Sequence, residues 1–350
     1  MSEKFGIGIV GTGAIAKTHY TATNSLEGVE VVAACDIDRD RLDKFTNKHP
    51  IENVYTDLGK MLKNPSVRAI LVCTPPQSHC SIAEQAAANG VHVMVEKPLS
   101  LDLKQADYSI MICKKAGVQY AMISQRRFFD AAQRVRKAID DGKLGKVVLG
   151  DCIIKWWRQK EYYEQEPWRG TWNKEGGACL INQSMHAIDL YQWFMGPVDT
   201  VYGMWDNYAH QYIEAEDTAV AALRFKSGAM GIILATLITN PTFGAKITIH
   251  GDSGASVSFS ETPEGSIGVN EIWTIPGEEG LAKNFENTGP EKAYPGYHAL
   301  QIREFVHAIL EDRPPLVTAE EGLKPLEIVK AIYKSNEIGQ SIKMPMDRNL

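Results

Sequence analysis

"GIGIVGTGAIA", residues 6–16, decides the fold. An apolar run, Phe5–Val10, leads into Gly11-x-Gly13-x-x-Ala16, and a helical pattern over Ile15–Ser25 follows. Glycines at 11 and 13 permit a tight turn and close approach of a ligand to the backbone, and a small residue at 16 lets the helix lie on the strand. Ala14 and Ile15 open the helix, whose first N–H groups suit a phosphate. Taken alone, the pattern also describes an ordinary strand-to-helix turn. Asp36 adds to it. It stands twenty residues beyond Ala16, at the end of the apolar run Val29–Cys35, where a carboxylate accepts from ribose hydroxyls. Together they predict dinucleotide binding. Asp36 favours NAD because its charge repels a 2′-phosphate, while Arg39 and Arg41 nearby keep NADP open.

The residues around this turn repeat its grammar. Strand patterns at Ala69–Cys73, Val91–Val95 and Gln119–Ile123 alternate with helical ones at Arg39–Asn47, Asp57–Lys63, His79–Asn89 and Leu103–Ala116. The strands are continuous apolar runs, as expected of a parallel sheet covered on both faces. Residues 1–124 therefore read as an α/β dinucleotide-binding domain. From residue 125 the texture changes. Helical patterns at Ala131–Asp140 and Ser184–Phe194 accompany strands at Val147–Trp157, Val201–Tyr208, Thr218–Phe225, Ala229–Leu237 and Ala245–His250. "FKSGAM" and "HGDSGA" mark tight turns, so residues 125–350 read as an α+β domain with an antiparallel sheet. Glu261–Pro295 reads as a hairpin plus irregular loop, and helices over Ala299–Leu310 and Glu320–Ile338 close the chain.

Bulk properties narrow the partners. A net charge of −6 argues against nucleic acid or an anionic membrane as the main partner. The longest apolar stretches, such as Val67–Val72 and Gly231–Leu237, are too short to span a bilayer. The six cysteines form no CxxC pair, and the N-terminus lacks a signal-peptide pattern, so a reduced, cytoplasmic protein is expected.

Two stretches carry candidate chemistry. "VMVEKPLSLD", residues 93–102, ends a buried strand on Glu96, Lys97 and Pro98, at the carboxyl end where open α/β sheets bind ligands. "LINQSMHAIDL", residues 180–190, sets Asn182, His186 and Asp189 at spacings of four and three that one helix face can share. Equally, Asn182 or Ser184 could cap a helix and His186 could be a core histidine. His186 and Asp189 lack a third ligand, so no metal site is expected. In "VCTPPQSH", residues 72–79, Thr74-Pro75-Pro76 makes a rigid turn ahead of His79, which also reads as a capped turn with an exposed histidine.

Gly-x-Gly-x-x-Ala, Thr-Pro-Pro-x-x-His and Glu-Lys-Pro at these separations resemble the glucose–fructose oxidoreductase / inositol dehydrogenase / rhizopine catabolism family (Gfo/Idh/MocA). The likeness extends through "GGACLINQSMHAIDL" to the closing helices, and so covers nearly the whole chain. It implies an N-terminal Rossmann domain and a C-terminal domain with an open, largely antiparallel sheet, with the last helices packing back toward the first domain. It implies a nicotinamide cofactor held by the glycine turn and by Thr74, Pro75, His79, Glu96 and Lys97. It implies a carbohydrate or cyclitol substrate, and homodimers or homotetramers formed through the open sheet. Lys97 and His186 then occupy the catalytic positions, Lys97 on the reacting hydroxyl and His186 exchanging its proton. Relatives commonly carry an Asp four residues before that histidine, and here Asn182 stands there as a substrate hydrogen-bonder.

"WWRQKEYYEQEPWRGTW", residues 156–172, suits stacking on sugar rings and gripping of anions, or equally an interface. The resemblance places Trp168 and Arg169 toward the cofactor and Arg158 and Tyr163 toward the substrate. His298 in "YPGYHAL" is implied at the substrate, or else is a helix entry. The expected activity is NAD(H)-dependent interconversion of a secondary hydroxyl and a ketone. Its rivals are redox-neutral glycoside cleavage through a transient keto sugar, and a non-catalytic cofactor-bearing sensor.

Overall fold

The structure, a computed structural model, describes residues 4–261, 267–278, 280–281, 283–284 and 295–349. The chain divides into two compact units. One comprises Met1–Gln125 with Thr288–Leu323, the other Arg126–Asn287 with Lys324–Leu350.

The first unit is built on six parallel strands. In chain order they are β1 (Phe5–Val10), β2 (Val29–Cys35), β3 (Asn53–Tyr55), β4 (Ala69–Val72), β5 (His92–Val95) and β6 (Tyr120–Met122). Their spatial order is β3-β2-β1-β4-β5-β6. The order reverses between β1 and β4, which opens a crevice at their carboxyl ends. Helices α1 (Ala16–Asn24), α2 (Arg39–Thr46), α3 (Leu58–Met61), α4 (His79–Ala88) and α5 (Leu103–Ala116) connect the strands. Asp38, Asp57 and Asp102 cap α2, α3 and α5 by accepting from backbone N–H groups. The short strand β3 was not expected from sequence, since "NVY" carries a single aliphatic residue.

A late helix belongs to this unit. Residues Gly296–Leu310 (α9) bury Ile302, Phe305 and Val306 against Ile7, Leu71 and Met94. The Gln301 amide donates to the Met122 carbonyl at 2.8 Å and accepts from Ser124 N at 2.9 Å.

The second unit starts with helix α6 (Asp130–Asp140), strand β7 (Val147–Lys155) and the short α7 (Lys160–Glu164). A π-helical turn, Cys179–Gln183, runs into α8 (Met185–Met195). Strands β8 (Val198–Asp206), β9 (Thr218–Phe225), β10 (Met230–Thr236), β11 (Gly244–Gly251), β12 (Ser256–Glu261), β13 (Gly268–Asn270), β14 (Lys283–Asn284) and β15 (Ile342–Lys343) follow. Helix α10 (Ala319–Ile338) begins in the first unit and continues in the second. Among the described residues the sheet order is β14-β13-β12-β11-β7-β10-β9-β8-β15. Among the described residues of this sheet only β7 and β10 pair in parallel. The sheet extends past His250 because "SVSFSE" forms β12, where serines alternate with Val257 and Phe259 and hide the strand from an apolar count. The hairpin and loop expected over 261–295 lies partly outside the described residues.

One face of this sheet seats α8. Tyr191 donates to the Gly150 carbonyl at 2.8 Å, and its ring meets Phe225 edge-on at 5.7 Å. Gly150 on β7 and Gly231 on β10 make room for that ring. The opposite face is apolar and exposed. Leu149 lies beside Met230, Ile232 and Tyr202 flank Ala222, and Val220 pairs with Met204.

The seat of α8 is testable. A methyl at Gly231 would overlap the Tyr191 hydroxyl and come within 2.9 Å of Phe225. Gly231→Ala should therefore cost about 1–3 kcal/mol, read as a lower urea midpoint with an unchanged slope. An unaltered midpoint would mean that Tyr191 does not need this gap.

Candidate functional site

Gly11 has a φ of +87°, and a Cβ there would sit 2.8 Å from Thr74 Cγ2 and 2.9 Å from Thr74 N. The turns after β1 and β4 thus meet through bare backbone. A Cβ on Gly13 would meet only Arg41 Nη1, at 3.7 Å, so this position stays open. Gly11, Gly13, Asp36, Arg41, Thr74 and Pro75 line one cavity of about 560 Å³. Asp36 is bound to the glycine turn. Its Oδ2 accepts from Thr12 N at 2.7 Å and Thr12 Oγ1 at 2.9 Å, and its Oδ1 accepts from Asp38 N at 2.9 Å. A carboxylate has about four acceptor sites, which leaves capacity for a ribose hydroxyl. Ile37 beside it is 94% exposed and forms an apolar lip to the cavity. Among the described residues no side chain caps the N-terminus of α1, and no acid occupies its first turn. Ala16 N and Thr18 N donate to the Gly13 and Ile15 carbonyls at 3.2 and 3.0 Å, so the N–H groups suited to an outside acceptor are those leading into the helix, at Ala14 and Ile15. The donor set fits a dinucleotide.

At the end of β5, Lys97 is half-buried and its own N–H donates to Glu96 Oε2 at 3.1 Å. The Lys97–Pro98 peptide is cis. Glu96 Oε1 lies 2.7 Å from His19 Nε2. Burial pushes the Glu96 pKa up, but the His19 hydrogen bond and the charges of His19, His298 and Lys97 outweigh it and hold the pKa at about 2. The His298 ring meets His19 edge-on at 5.4 Å. Ligating atoms of His19, Glu96 and His298 lie within 4.8 Å of one another, a spacing a metal could also use. His19 Nδ1 argues for the hydrogen-bonded arrangement. It is buried without an acceptor among the described residues, whereas a metal-bound histidine normally passes its second N–H to one.

Two expected contacts fall elsewhere. His79 is fully buried, not exposed, and its ring nitrogens lie 2.8 Å from the Pro98 carbonyl and 2.9 Å from the Thr74 carbonyl. Burial lowers its pKa against the pull of those carbonyls and Glu96. It ties the Thr-Pro-Pro turn to the Glu-Lys-Pro turn and has no face left for a cofactor. His298, implied at the substrate, is 1% exposed and belongs with Glu96.

In the second unit a polar cluster forms around Tyr162. Its hydroxyl accepts from Gln183 Nε2 at 2.7 Å and from Asn182 Nδ2 at 3.3 Å. Arg158 Nε donates to Gln183 Oε1 at 2.9 Å. The Asn182 amide also donates to the buried Glu175 carboxylate, which takes the Gly170 N–H as well. The Arg169 guanidinium stacks on the Tyr162 ring at 4.0 Å and donates to the Tyr162 carbonyl at 2.6 Å, so it closes the aromatic loop on itself. Trp168 lies next to it, 5.6 Å from that guanidinium. Tyr163, expected at the substrate, is buried against His210, Tyr162 and Tyr212, and burial raises its hydroxyl's pKa. His186 is half-buried in the first turn of α8. Asp189 follows three residues later in the same helix. It is buried and doubly bonded to Arg127, at 2.9 and 2.6 Å.

The π-helical turn is held from beneath by "IEAEDTA". Glu216 accepts from Ala178 N at 3.0 Å, Leu180 N at 2.8 Å and Tyr333 Oη at 2.7 Å, and burial raises its pKa. Asp217 lies 3.0 Å from His210 Nδ1, whose Nε2 lies 2.8 Å from the Arg158 carbonyl. Burial raises the Asp217 pKa, but His210 and three backbone N–H groups bring it to about 2. Sequence reasoning missed Glu175, Glu216, Asp217, His210 and His19, because acids and lone histidines ordinarily read as solvated surface. The one signal available was two adjacent acids opening the strand pattern at Thr218.

Residues 5–124 match the "Oxidoreductase family, NAD-binding Rossmann fold", and residues 136–344 its "C-terminal alpha/beta domain". The chain belongs to this family. A curated relative, the myo-inositol 2-dehydrogenase of Thermotoga maritima, is 26% identical over 342 residues, covering 97% of this chain and 98% of that one. The D-apiose dehydrogenase of Paraburkholderia graminis is 26% identical, covering 98% and 90%. Among solved structures, the WlbA dehydrogenase of Bordetella pertussis in complex with NADH and UDP-GlcNAcA is 31% identical. It superposes with a TM-score of 0.85, covering 98% of this chain and all of that one. No helix among the described residues is long and apolar enough to cross a membrane. All six cysteines are free and buried.

The Glu96 network has a pH signature. Its folded pKa of about 2 lies below the ordinary 4.5, so its stabilisation is present above 4.5 and lost as pH falls toward 2. Glu96→Gln should cost on the order of 3 kcal/mol at neutral pH, and the gap from the native protein should narrow below pH 4.5. Urea unfolding across pH measures it. A gap that stays constant with pH would contradict the ionised assignment.

Proposed function

We propose that this protein is an NAD-dependent dehydrogenase that interconverts a secondary hydroxyl and a ketone on a sugar, sugar acid or cyclitol. The observation that carries this reading is the dinucleotide-fitted crevice in the unit whose strand β5 leads out into Lys97, beside an ionised Glu96. When bound, NAD supplies the hydride acceptor. Lys97 orients the reacting oxygen and balances its charge as the proton leaves. His186 takes that proton in oxidation and returns it in reduction. Histidine suits the task because its ordinary pKa lies near neutrality.

Within the substrate classes, an acidic sugar has the best support. The Arg158 and Arg169 guanidinium groups lie 5.4 and 4.0 Å from the Tyr162 ring. The Bordetella pertussis relative was solved with UDP-GlcNAcA, a nucleotide-linked sugar acid. The exposed apolar sheet face, with Leu149, Met204, Met230 and Ile232, favours a homo-oligomer that covers it.

A turnover screen with NAD over UDP-linked uronates, free sugar acids, neutral sugars and inositols tests the activity. Reduced nicotinamide should accumulate with at least one of them. Lys97→Ala and His186→Ala should each lower kcat by ~10²–10⁴ while NAD still binds. Product formed with only catalytic NAD would favour the redox-neutral rival, and native-like kcat in His186→Ala would remove its role. For assembly, light scattering should report a homo-oligomer that Ile232→Lys weakens, and a native monomer would contradict the sheet-face proposal.

A further inference from the structure

His210 is 2% exposed and takes no part in the proposed reaction. Its two ring nitrogens face two acceptors: Asp217 Oδ2 lies 3.0 Å from Nδ1, and the Arg158 carbonyl lies 2.8 Å from Nε2. A neutral imidazole carries one N–H and one bare nitrogen, so it can serve only one of them. A carbonyl accepts and never donates. Asp217 is ionised as well, because it already receives the backbone N–H groups of Tyr208, Ala209 and His210 at 3.1, 2.8 and 3.1 Å. Both contacts are hydrogen bonds only when both nitrogens carry protons, which makes the ring a cation. Burial lowers its pKa, but the bonds to Asp217 and the Arg158 carbonyl and the charge of Asp217 outweigh it and raise the pKa above the ordinary 6.5.

The Arg158 backbone is gripped from both sides, since its N–H donates to the Leu237 carbonyl at 3.0 Å. Its side chain bonds to Gln183 in the π-helical turn. We infer that His210 is a latch: as an imidazolium it fastens the chain leaving β7, at Arg158, to Asp217 just before β9, and losing its proton in alkali releases that segment. The proton lost is the one on Nε2. Nδ1–H faces a charge and makes the stronger bond, so it stays. A bare Nε2 then meets the carbonyl oxygen lone pair to lone pair, and a 2.8 Å contact becomes repulsive. The other ionisable groups around the ring stay as they are. Arg158 is bonded to Gln183 and the Trp157 carbonyl, and Glu216, beside Asp217, is turned to Ala178, Leu180 and Tyr333. Tyr163 on α7 and Tyr212 meet the ring at 5.6 and 5.5 Å, and burial raises both phenols above their ordinary 10, so His210 titrates first. The latch does not depend on the dehydrogenase reading.

Two measurements on the full-length protein test this. In protein labelled with nitrogen-15 histidine, the His210 ring is assigned by its loss in His210→Gln. It should be mostly doubly protonated at pH 6.5, where an ordinary histidine is half neutral, and should lose the Nε2 proton at higher pH. Hydrogen exchange of segment 157–159, corrected for the intrinsic rate, should lose protection several-fold over that same step while α8 keeps its own. His210→Gln should show no such step. The stability that the raised pKa contributes is whole below 6.5 and fades as pH rises through the folded value, so the urea-midpoint gap between native and His210→Gln should shrink in alkali. A ring half or more neutral at pH 6.5, or one still doubly protonated at about pH 10, would overturn the latch. A proton lost with no change in exchange at 157–159 would overturn the release. If His210→Gln does not fold, exchange in the native protein decides alone: flat protection of 157–159 from pH 6.5 to about pH 10 contradicts the inference.

Discussion

A carboxylate taken out of water must be met by donors, and the candidate site of this protein is organised around that requirement. Glu96 takes the N–H of Lys97 and sits against His19, so the lysine's backbone is tied to a group that burial alone would have neutralised. Glu216 takes the N–H groups of Ala178 and Leu180, at the entry to the π-helical turn, and a hydroxyl from α10. Asp217 with His210 anchors the backbone at Arg158, and Asp189 with Arg127 fixes the flank of α8. Each of these acids would be expensive to bury alone, and removing one donor would leave an uncompensated charge. Their common effect is geometric. Within each unit they hold chain segments in place, the one that carries Lys97 in the first and the one that carries Asn182 and His186 in the second, which is the preorganisation that the proposed reaction calls for.

The two units achieve this by different means. In the first, packing comes from continuous apolar strands covered on both faces, and backbone approaches such as Gly11 against Thr74 set the crevice. In the second, one sheet face seats α8 through Tyr191 and a pair of glycines. The aromatic segment is largely self-contained, with Arg169 stacked on Tyr162 and Tyr163 turned inward. Its tryptophans and tyrosines thus stabilise a loop as much as they shape a surface.

Much of this was legible in the sequence. The glycine turn, Asp36 and the alternation of strands and helices depend on local geometry, and local geometry leaves periodic or fixed-spacing marks. The strand β12 was hidden because its serines are buried yet polar, and β3 because it is only three residues long. His79, expected at the cofactor or in a capped turn, and His298, expected at the substrate or a helix entry, are buried for one reason: their partners are backbone carbonyls, and an acid and a histidine far away in sequence. Glu175 was invisible on the same ground. A glutamate in "NKEGG" looks like a solvated loop residue until the fold brings Asn182 and Gly170 to it.

Asp36 stands at the centre of the account: it is bonded to the glycine turn, and the proposed reading has it meet the cofactor's ribose and favour NAD over NADP. Calorimetric titration of NADH and NADPH into the native protein and into Asp36→Ala tests this directly, with no substrate required. The native protein should bind NADH the more tightly, and Asp36→Ala should lose most of that preference through weaker NADH binding. Tighter binding of NADPH by the native protein, or a preference for NADH untouched by Asp36→Ala, would contradict it.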